Sequence, residues 1–350
     1  MGNNFYKDLL NKTIKNKHIY GAVFCVENED GTYKINESIG NIDSKDRYLI
    51  ASVTKMYITT LIMILKNENK ISFEDKITKF FPNELISELH VLKGVDYTGE
   101  ITVKHLLINT SGLPDYFYYT DTKGSSVKNL VEGNDIEITL EKVIENTKKL
   151  KPKFKPGQKN KVFYSDTNFQ LLGSIIEKVT NKPISDVFEE YIFKPLDLKH
   201  TSTYKENIDN NYVKTYYGKD QLDPPKYLST ITAEGGIVST SEDVMLFNKA
   251  FYNGFFFPKE QLKELMRDWN LIYFPGQFYF GNGLEKLWVP RIFTPFHSIG
   301  DIYGFWGQTG SFAFYNPKTK LYFTGTINQL NGFGHGSAFK MVLETIKKRI

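Results

Sequence analysis

A single cysteine in 350 residues, Cys25, leaves no intramolecular disulfide to form and no thiolate cluster to hold a metal. It sits in the alternating apolar stretch GAVFCVE and reads as a small buried core residue. The longest apolar stretch, Tyr57 to Leu65, falls far short of the ~20 residues that cross a bilayer. The opening MGNNFYKDLLNKTIKNK has no apolar core of the secretion-signal type, so the chain as it stands is expected in the cytoplasm, or outside the cell where a leader has been removed. Charge of one sign is also lacking: 44 Lys and Arg against 40 Asp and Glu give +4, spread without a basic block, which argues against nucleic acid as a partner. There is no repeat, no low-complexity tract and no Gly/Ser linker. The expected partner is a small molecule or a peptide, and nothing in the sequence fixes an oligomeric state.

What is present is apolar and aromatic. Hydrophobic residues make up 41% and aromatics 15%, enough in a chain of this length to bury a large core. Phe5, Leu9, Leu10 and Ile14 fall at helical spacing. YGAVFCVE and TYKINESIG flank a turn at Glu29-Asp30-Gly31 and predict a β-hairpin. From Ser52 to about residue 200 the pattern is mostly helical, broken by loops carrying SGLPDY, KFKPGQ and NKP. After about residue 270 the period returns to two in FYFGNGLEKLWV, TGSFAFY and LYFTGTINQ, and SAFKMVLETIKK predicts a closing helix. The expectation is one α+β domain, with an α/β part from about 1–50 and 250–350 and a mostly helical part over about 51–249. A cleft at the seam between the two parts is where a ligand is expected.

The stretch LIASVTKMYITTLIMIL places Ser52 and Lys55 at the head of an apolar helix, one turn apart on one face. The spacing alone decides nothing, because Ser125/Lys128, Ser202/Lys205 and Ser337/Lys340 share it. Ser52 differs in context: it follows the strand-like RYLIA, and the free N–H groups of a helix start favour a developing oxyanion. On these residues two readings stand, a catalytic pair, or a capping serine with a lysine snorkelling to solvent. A serine needs a base. Of the six histidines, His18, His90, His105, His200, His297 and His335, none lies in a recognisable strand-end or elbow motif, so nothing supports a Ser-His-Asp triad.

ASVTK, then ITVKHLLINTSGLPDY at 101–116, FYSDTNFQLLGSIIEKVTNKP from residue 163 and AEGGIVSTSEDVMLF at 233–247 together resemble the serine β-lactamase-like superfamily of class C β-lactamases, D-alanyl-D-alanine carboxypeptidases, D-aminopeptidases and esterases. The resemblance implies a β-lactamase/transpeptidase-like fold, a mainly antiparallel sheet flanked by helices plus a helical subdomain. It implies Ser52 as the acylated nucleophile, Lys55 as the lysine of the first motif and Tyr164 as the tyrosine of the second. Backbone N–H groups of Ser52 and Gln308 would form the oxyanion hole, and no metal or organic cofactor is required.

Two departures bear on substrate. Asp166 stands where the second motif has asparagine; a carboxylate there would pair with Lys55, repel a phenolate and attract a substrate ammonium. The third motif, Lys or His, then Ser or Thr, then Gly, falls on Phe305-Trp306-Gly307, or in a second register on Gln308-Thr309-Gly310, without a basic side chain in either. That loss argues for a less anionic and more apolar ligand, with Phe305, Trp306 and Gly307 as candidate contacts. His335 in GFGHGS mimics the motif but is expected to precede the last helix and is set aside. Tyr116, in DYFYYT, is a candidate for the acyl pocket. The expected activity is hydrolysis of an amide or ester through an acyl-enzyme, of the D-amino-acid peptidase, carboxypeptidase or esterase type. The alternatives on the same scaffold are a penicillin-binding or sensor protein without turnover, and a true β-lactamase.

Overall fold

Every residue of GAVFCVE is apolar or small except the last, so this strand is built to be covered on both faces. The structure, a computed structural model, describes residues 2–118, 126–208, 211–273, 278–293, 298–330 and 333–349. In it β1 (Gly21–Asn28) and β2 (Lys34–Gly40) form the expected hairpin. They join β6 (Asn270–Tyr273), β7 (Phe278–Phe280), β8 (Glu285–Leu287), β9 (Ile302–Trp306), β10 (Phe312–Asn316) and β11 (Leu321–Thr326) in one antiparallel sheet of order β6-β7-β8-β9-β10-β11-β1-β2. A small second sheet holds β3 (Tyr48–Leu49), β4 (Ser202–Thr203) and β5 (Ile237–Ser239), with β5 central.

The sheet's two faces serve two cores. Ala22, Phe24 and Val26 of β1 meet Phe312, Phe314 and Phe323 and the end helices α1 (Gly2–Thr13) and α5 (Phe333–Arg349). Val23 and Cys25 point the other way, into a layer with α2 (Thr54–Asn67) and α3 (Asp166–Thr180), and Cys25 is free and buried there. Helix α4 (Ser241–Asn253), expected with the helical part, packs on β1, β10 and β11 instead. Helix α2 is buried nearly all round, as its unbroken apolar sequence requires. Among the described residues no helix is long and apolar enough to cross a membrane.

Two local expectations are corrected. FYFGNGLEKLWV is not one strand but two, β7 and β8, folded back at Gly283, whose φ of 72° suits glycine and whose missing side chain lets Thr59 approach. The last helix starts at Phe333, ahead of SAFK, so His335 lies inside it. Its glycines read as loop in sequence, but Gly334 lies against Ile327, where a Cβ would come within 2.9 Å of that side chain.

Tyr57 shows how tightly α2 is held. Its ring stacks on Phe247 at 3.6 Å between centroids and meets Phe188 and Phe193 edge-on, while its buried hydroxyl finds no partner among the described residues. Tyr57→Ala is therefore expected to cost about 3–5 kcal/mol. Tyr57→Phe is expected to be neutral or stabilising, because it removes an unpaired hydroxyl and keeps the ring. Urea unfolding midpoints of the two variants check both.

Candidate active site

The turn Ile50 to Val53 connects β3 to α2 and carries Ser52. Ala51 adopts φ 46°, a strained value for a residue with a side chain, and a single 3-10 turn over Ala51–Val53 then feeds α2. The turn is fastened from outside: Ile50 N–H donates to Ile237 O at 3.0 Å, Thr309 Oγ1 to Leu49 O at 2.9 Å and Ser311 Oγ to Ile50 O at 2.6 Å. Gly307, just past β9, lies so close that a Cβ there would stand 2.5 Å from Ile50 O and 1.9 Å from Ser311 Oγ. Only glycine lets this strand end meet the serine turn.

Lys55 is wholly buried, and its ammonium lies 3.0 Å from Ser52 Oγ, 2.8 Å from Glu234 O and 2.7 Å from Asp166 Oδ1. Two hydrogen bonds, to Ser52 Oγ and Glu234 O, and an ion pair with Asp166 thus meet the ammonium, the condition under which a lysine charge is tolerated inside a protein. Neither the capping serine nor the snorkelling lysine occurs: Ser52 makes no side-chain cap and Lys55 does not reach solvent. Asp166, the first residue of α3, sits where the helix's free N–H groups favour negative charge.

Tyr164 precedes α3 and donates its O–H to Ser52 Oγ at 3.0 Å. Burial pushes this phenol well above its ordinary pKa, and the carboxyls of Asp166, Glu285 and Asp115 push it further; the bond to Ser52 acts in the opposite direction. Phe305 packs its ring 6.5 Å from that of Tyr164, so the first register of the third motif sets an uncharged ring against the tyrosine.

Ser52, Tyr164 and Asp166 open into a cavity of about 430 Å³. Trp306, Gly307 and Gln308 line it as expected from sequence, together with Phe117, Phe278 and Leu287. Two expected contacts lie elsewhere. Phe305 is fully buried beneath the cavity wall, because strand alternation turns it inward. Tyr116 is also buried, its O–H donated to Glu234 Oε1 at 2.5 Å, and its neighbour Phe117 faces the cavity in its place. Tyr119, Thr120, Ser125 and His297 lie outside the described residues.

The N–H groups of Ser52 and Gln308 donate to no protein acceptor among the described residues. Gly307 O accepts from Gly310 N–H and from His335 Nε2–H, each at 2.9 Å, and His335 itself also lines the cavity. In a trans peptide the carbonyl and the following N–H point in opposite directions, so these two bonds turn Gln308 N–H away from His335. Burial lowers the imidazole pKa, the Gly307 bond acting against it.

Four residues of this site were not singled out from sequence. Asp115, Glu234 and Glu285 are acidic and at most 4% exposed, and His335 was set aside. Asp115 accepts Phe117 N–H at 3.0 Å; burial, and then the Asp166 charge, push its carboxyl up to about 8. Glu285 accepts Trp306 N–H at 2.7 Å, and burial raises its carboxyl well above the usual range. Glu234 is raised in the same way, by burial and then by Asp166. Asp115 and Glu234 lie inside the recognised segments SGLPDY and AEGG, the one signal that pointed near them. No group of residues among those described fits a metal ion.

The Beta-lactamase family model matches residues 7–344. The chain belongs to the Beta-lactamase family. It is 27% identical over 273 residues to penicillin-binding protein 4* of Bacillus subtilis, covering 71% of this chain and 56% of that protein. It is 33% identical over 155 residues to a putative D-alanyl-D-alanine carboxypeptidase of Escherichia coli, covering 44% of this chain and 33% of the other. The chain thus spans between a third and about half of the curated relatives it matches. A D-stereospecific amidohydrolase from Streptomyces superposes with a TM-score of 0.79 at 23% identity, over 95% of this chain and 96% of its own. At that identity the shared property is the fold, which is α+β and β-lactamase/transpeptidase-like, as the resemblance implied.

The raised Asp115 carboxyl has a measurable consequence for stability. Its folded value of about 8 stands above the ~3.9 of an unfolded chain. Between those values the folded state holds a proton the unfolded state has lost, so the Asp115 contribution is fully present at acid pH and disappears as pH rises through about 8. Asp115→Asn cannot ionise. Its melting temperature relative to wild type is expected to rise steadily from about pH 4 to about pH 8, followed by thermal scans in a buffer series. A constant difference across that range refutes the assignment.

Proposed function

We propose that the protein is a serine hydrolase that opens an amide or ester through an acyl-enzyme on Ser52. The observation that carries this reading is Ser52 Oγ lying 3.0 Å from both Lys55 Nζ and Tyr164 Oη at the cavity floor. In the reactive state the pair is one proton short, Tyr164 a phenolate beside the Lys55 ammonium, and Oγ bonds to the substrate carbonyl carbon while its proton passes to the phenolate oxygen. The carbonyl oxygen, now negative, is met by the N–H groups of Ser52 and Gln308. Collapse breaks the bond to the amine or alcohol, which leaves with the proton the pair had taken. Water then adds to the acyl carbon by the same route, giving up one proton to the pair, and Oγ departs with it, which frees the acid and restores the serine.

Cavity chemistry narrows the substrate. Asp115, Asp166 and Glu285 line it, none of its lining residues is lysine or arginine, and burial lowers the pKa of the lining imidazole of His335, so a free carboxylate is poorly served. That disfavours a carboxypeptidase of the D-alanyl-D-alanine type and efficient β-lactam turnover, both of which bring a carboxylate. It supports amidase, aminopeptidase or esterase chemistry on an acyl group with apolar surface. Two structural neighbours, a D-stereospecific amidohydrolase and a D-amino acid amidase of Ochrobactrum anthropi, agree in type.

Intact-protein mass after treatment with a fluorophosphonate is expected to rise by one phosphonyl group in wild type and not in Ser52→Ala. Short esters and amino-acid amides are expected to be hydrolysed faster than penicillin. No adduct on a folded wild-type protein makes the chain a binding or sensor protein, and faster turnover of penicillin makes it a β-lactamase. His335→Ala is expected to keep the adduct but to lower kcat by about 10-fold or more with little change in KM, since a loosened Gln308 N–H is felt mainly in the transition state.

A further inference from the structure

Tyr116 and Phe117 compete for one direction. Both belong to a single 3-10 turn over Tyr116–Tyr118, in which successive side chains stand about 120° apart, so one of the two faces the cavity and the other turns away from it. Phe117 faces it and Tyr116 is buried. The choice is made by a carboxyl from another part of the chain. Tyr116 O–H donates to Glu234 Oε1 at 2.5 Å and its N–H to Thr167 Oγ1 at 3.0 Å. Glu234 is a firm anchor: it is 3% exposed, its own N–H and those of Gly235 and Gly236 all donate to Ile231 O, and its carbonyl takes Lys55 Nζ. Ala233 beside it packs on Gly173 of α3, where a side chain would collide with the Ala233 methyl. Glu234 Oε2 meets no partner among the described residues, so Tyr116 is the donor that this carboxyl has. Phe117 is held more lightly, by its N–H to Asp115 Oδ1 at 3.0 Å and by its ring, 5.8 Å from that of Tyr227.

We infer that Glu234 is a positioning residue that sets selectivity for the acyl group: its bond to Tyr116 keeps that ring out of the cavity and keeps Phe117 in it, as the wall on which an aromatic acyl group lies. The inference rests on Ser52 being the nucleophile. Lys55 is met by the main-chain carbonyl of Glu234, which the turn on Ile231 O holds in place without help from the side chain. The carboxyl therefore acts through Tyr116 and Phe117 and not through Lys55. Without the bond, nothing fixes which of the two rings the 3-10 turn presents, and the aromatic wall is lost while Ser52 keeps its partners. Ring-on-ring contact with Phe117 is a binding interaction made alike in the bound substrate and the transition state, so its loss is felt in KM.

The test compares p-nitrophenyl 3-phenylpropionate with p-nitrophenyl acetate, which share a leaving group and differ in the acyl group alone, with rates taken per Ser52 that accepts a fluorophosphonate. Wild type is expected to favour the phenylpropionyl ester about tenfold or more in kcat/KM, mainly through KM. Tyr116→Phe keeps the ring and removes the donor, and it is expected to lower that preference at least about threefold, again in KM. Phe117→Ala is expected to lower it as far or further, and the double variant no further than Phe117→Ala alone, as residues acting in series require. Glu234→Gln keeps an acceptor for Tyr116 and is expected to hold the preference that Glu234→Ala loses; Tyr116→Phe and Phe117→Ala decide should Glu234→Ala not fold. No preference in wild type, a preference that survives Tyr116→Phe, or losses that add in the double variant overturns the inference and leaves the hydrolase reading in place. Absence of the phosphonyl adduct in wild type overturns the hydrolase reading instead.

Discussion

The buried ammonium of Lys55 is the constraint on which the site depends. A lysine with no exposed surface is expensive in any protein interior, and this one is tolerated because three separate parts of the chain each bring it an acceptor. Ser52 comes from the 3-10 turn ahead of its own helix, Glu234 O from the loop before β5, and Asp166 from the first turn of α3. Satisfying one charge therefore fixes how α2, α3 and the small sheet meet. The geometry proposed for catalysis is a by-product of that requirement, since Ser52 Oγ is itself one of the three acceptors.

A second constraint is steric. The end of β9 can reach the serine turn only because residue 307 is glycine, and the side chains of Thr309 and Ser311 then bind the carbonyls of Leu49 and Ile50. These bonds hold Ala51 in its strained conformation and fix the distance between the N–H groups of Ser52 and Gln308. Donors set in place before the substrate arrives need no reorganisation during reaction, which is where such a pair of N–H groups gains its effect. His335 contributes through the far side of the same peptide.

Much of this was legible in the chain. The hairpin of β1 and β2, the strands after residue 270 and the buried α2 follow from periods of two and 3.6 in apolar residues, which local sequence reports directly. Ser52, Lys55, Tyr164 and Asp166 were found together because short motifs name them. What escaped was set by tertiary packing. Strand alternation alone does not say which face of β9 meets the cavity, so Phe305 was placed at its wall and lies under it. Tyr116 and Phe117 exchange places for a similar reason: the hydroxyl of Tyr116 is drawn inward by Glu234. Glycines at 334 and 336 disguised the start of α5, and with it His335, because a close approach to Ile327 and a loop look alike in sequence.

Glu285 was the hardest to see, and its invisibility is instructive. In EKLWV it reads as an ordinary polar position on a half-exposed strand, yet it is buried against Trp306 N–H. Burial raises its carboxyl well above the usual range, and the Trp306 N–H bond, then the Lys55 charge, act against that rise. Together with Asp115 and Asp166 it lines the cavity beside Tyr164, and each of the three, when charged, opposes ionisation of that phenol.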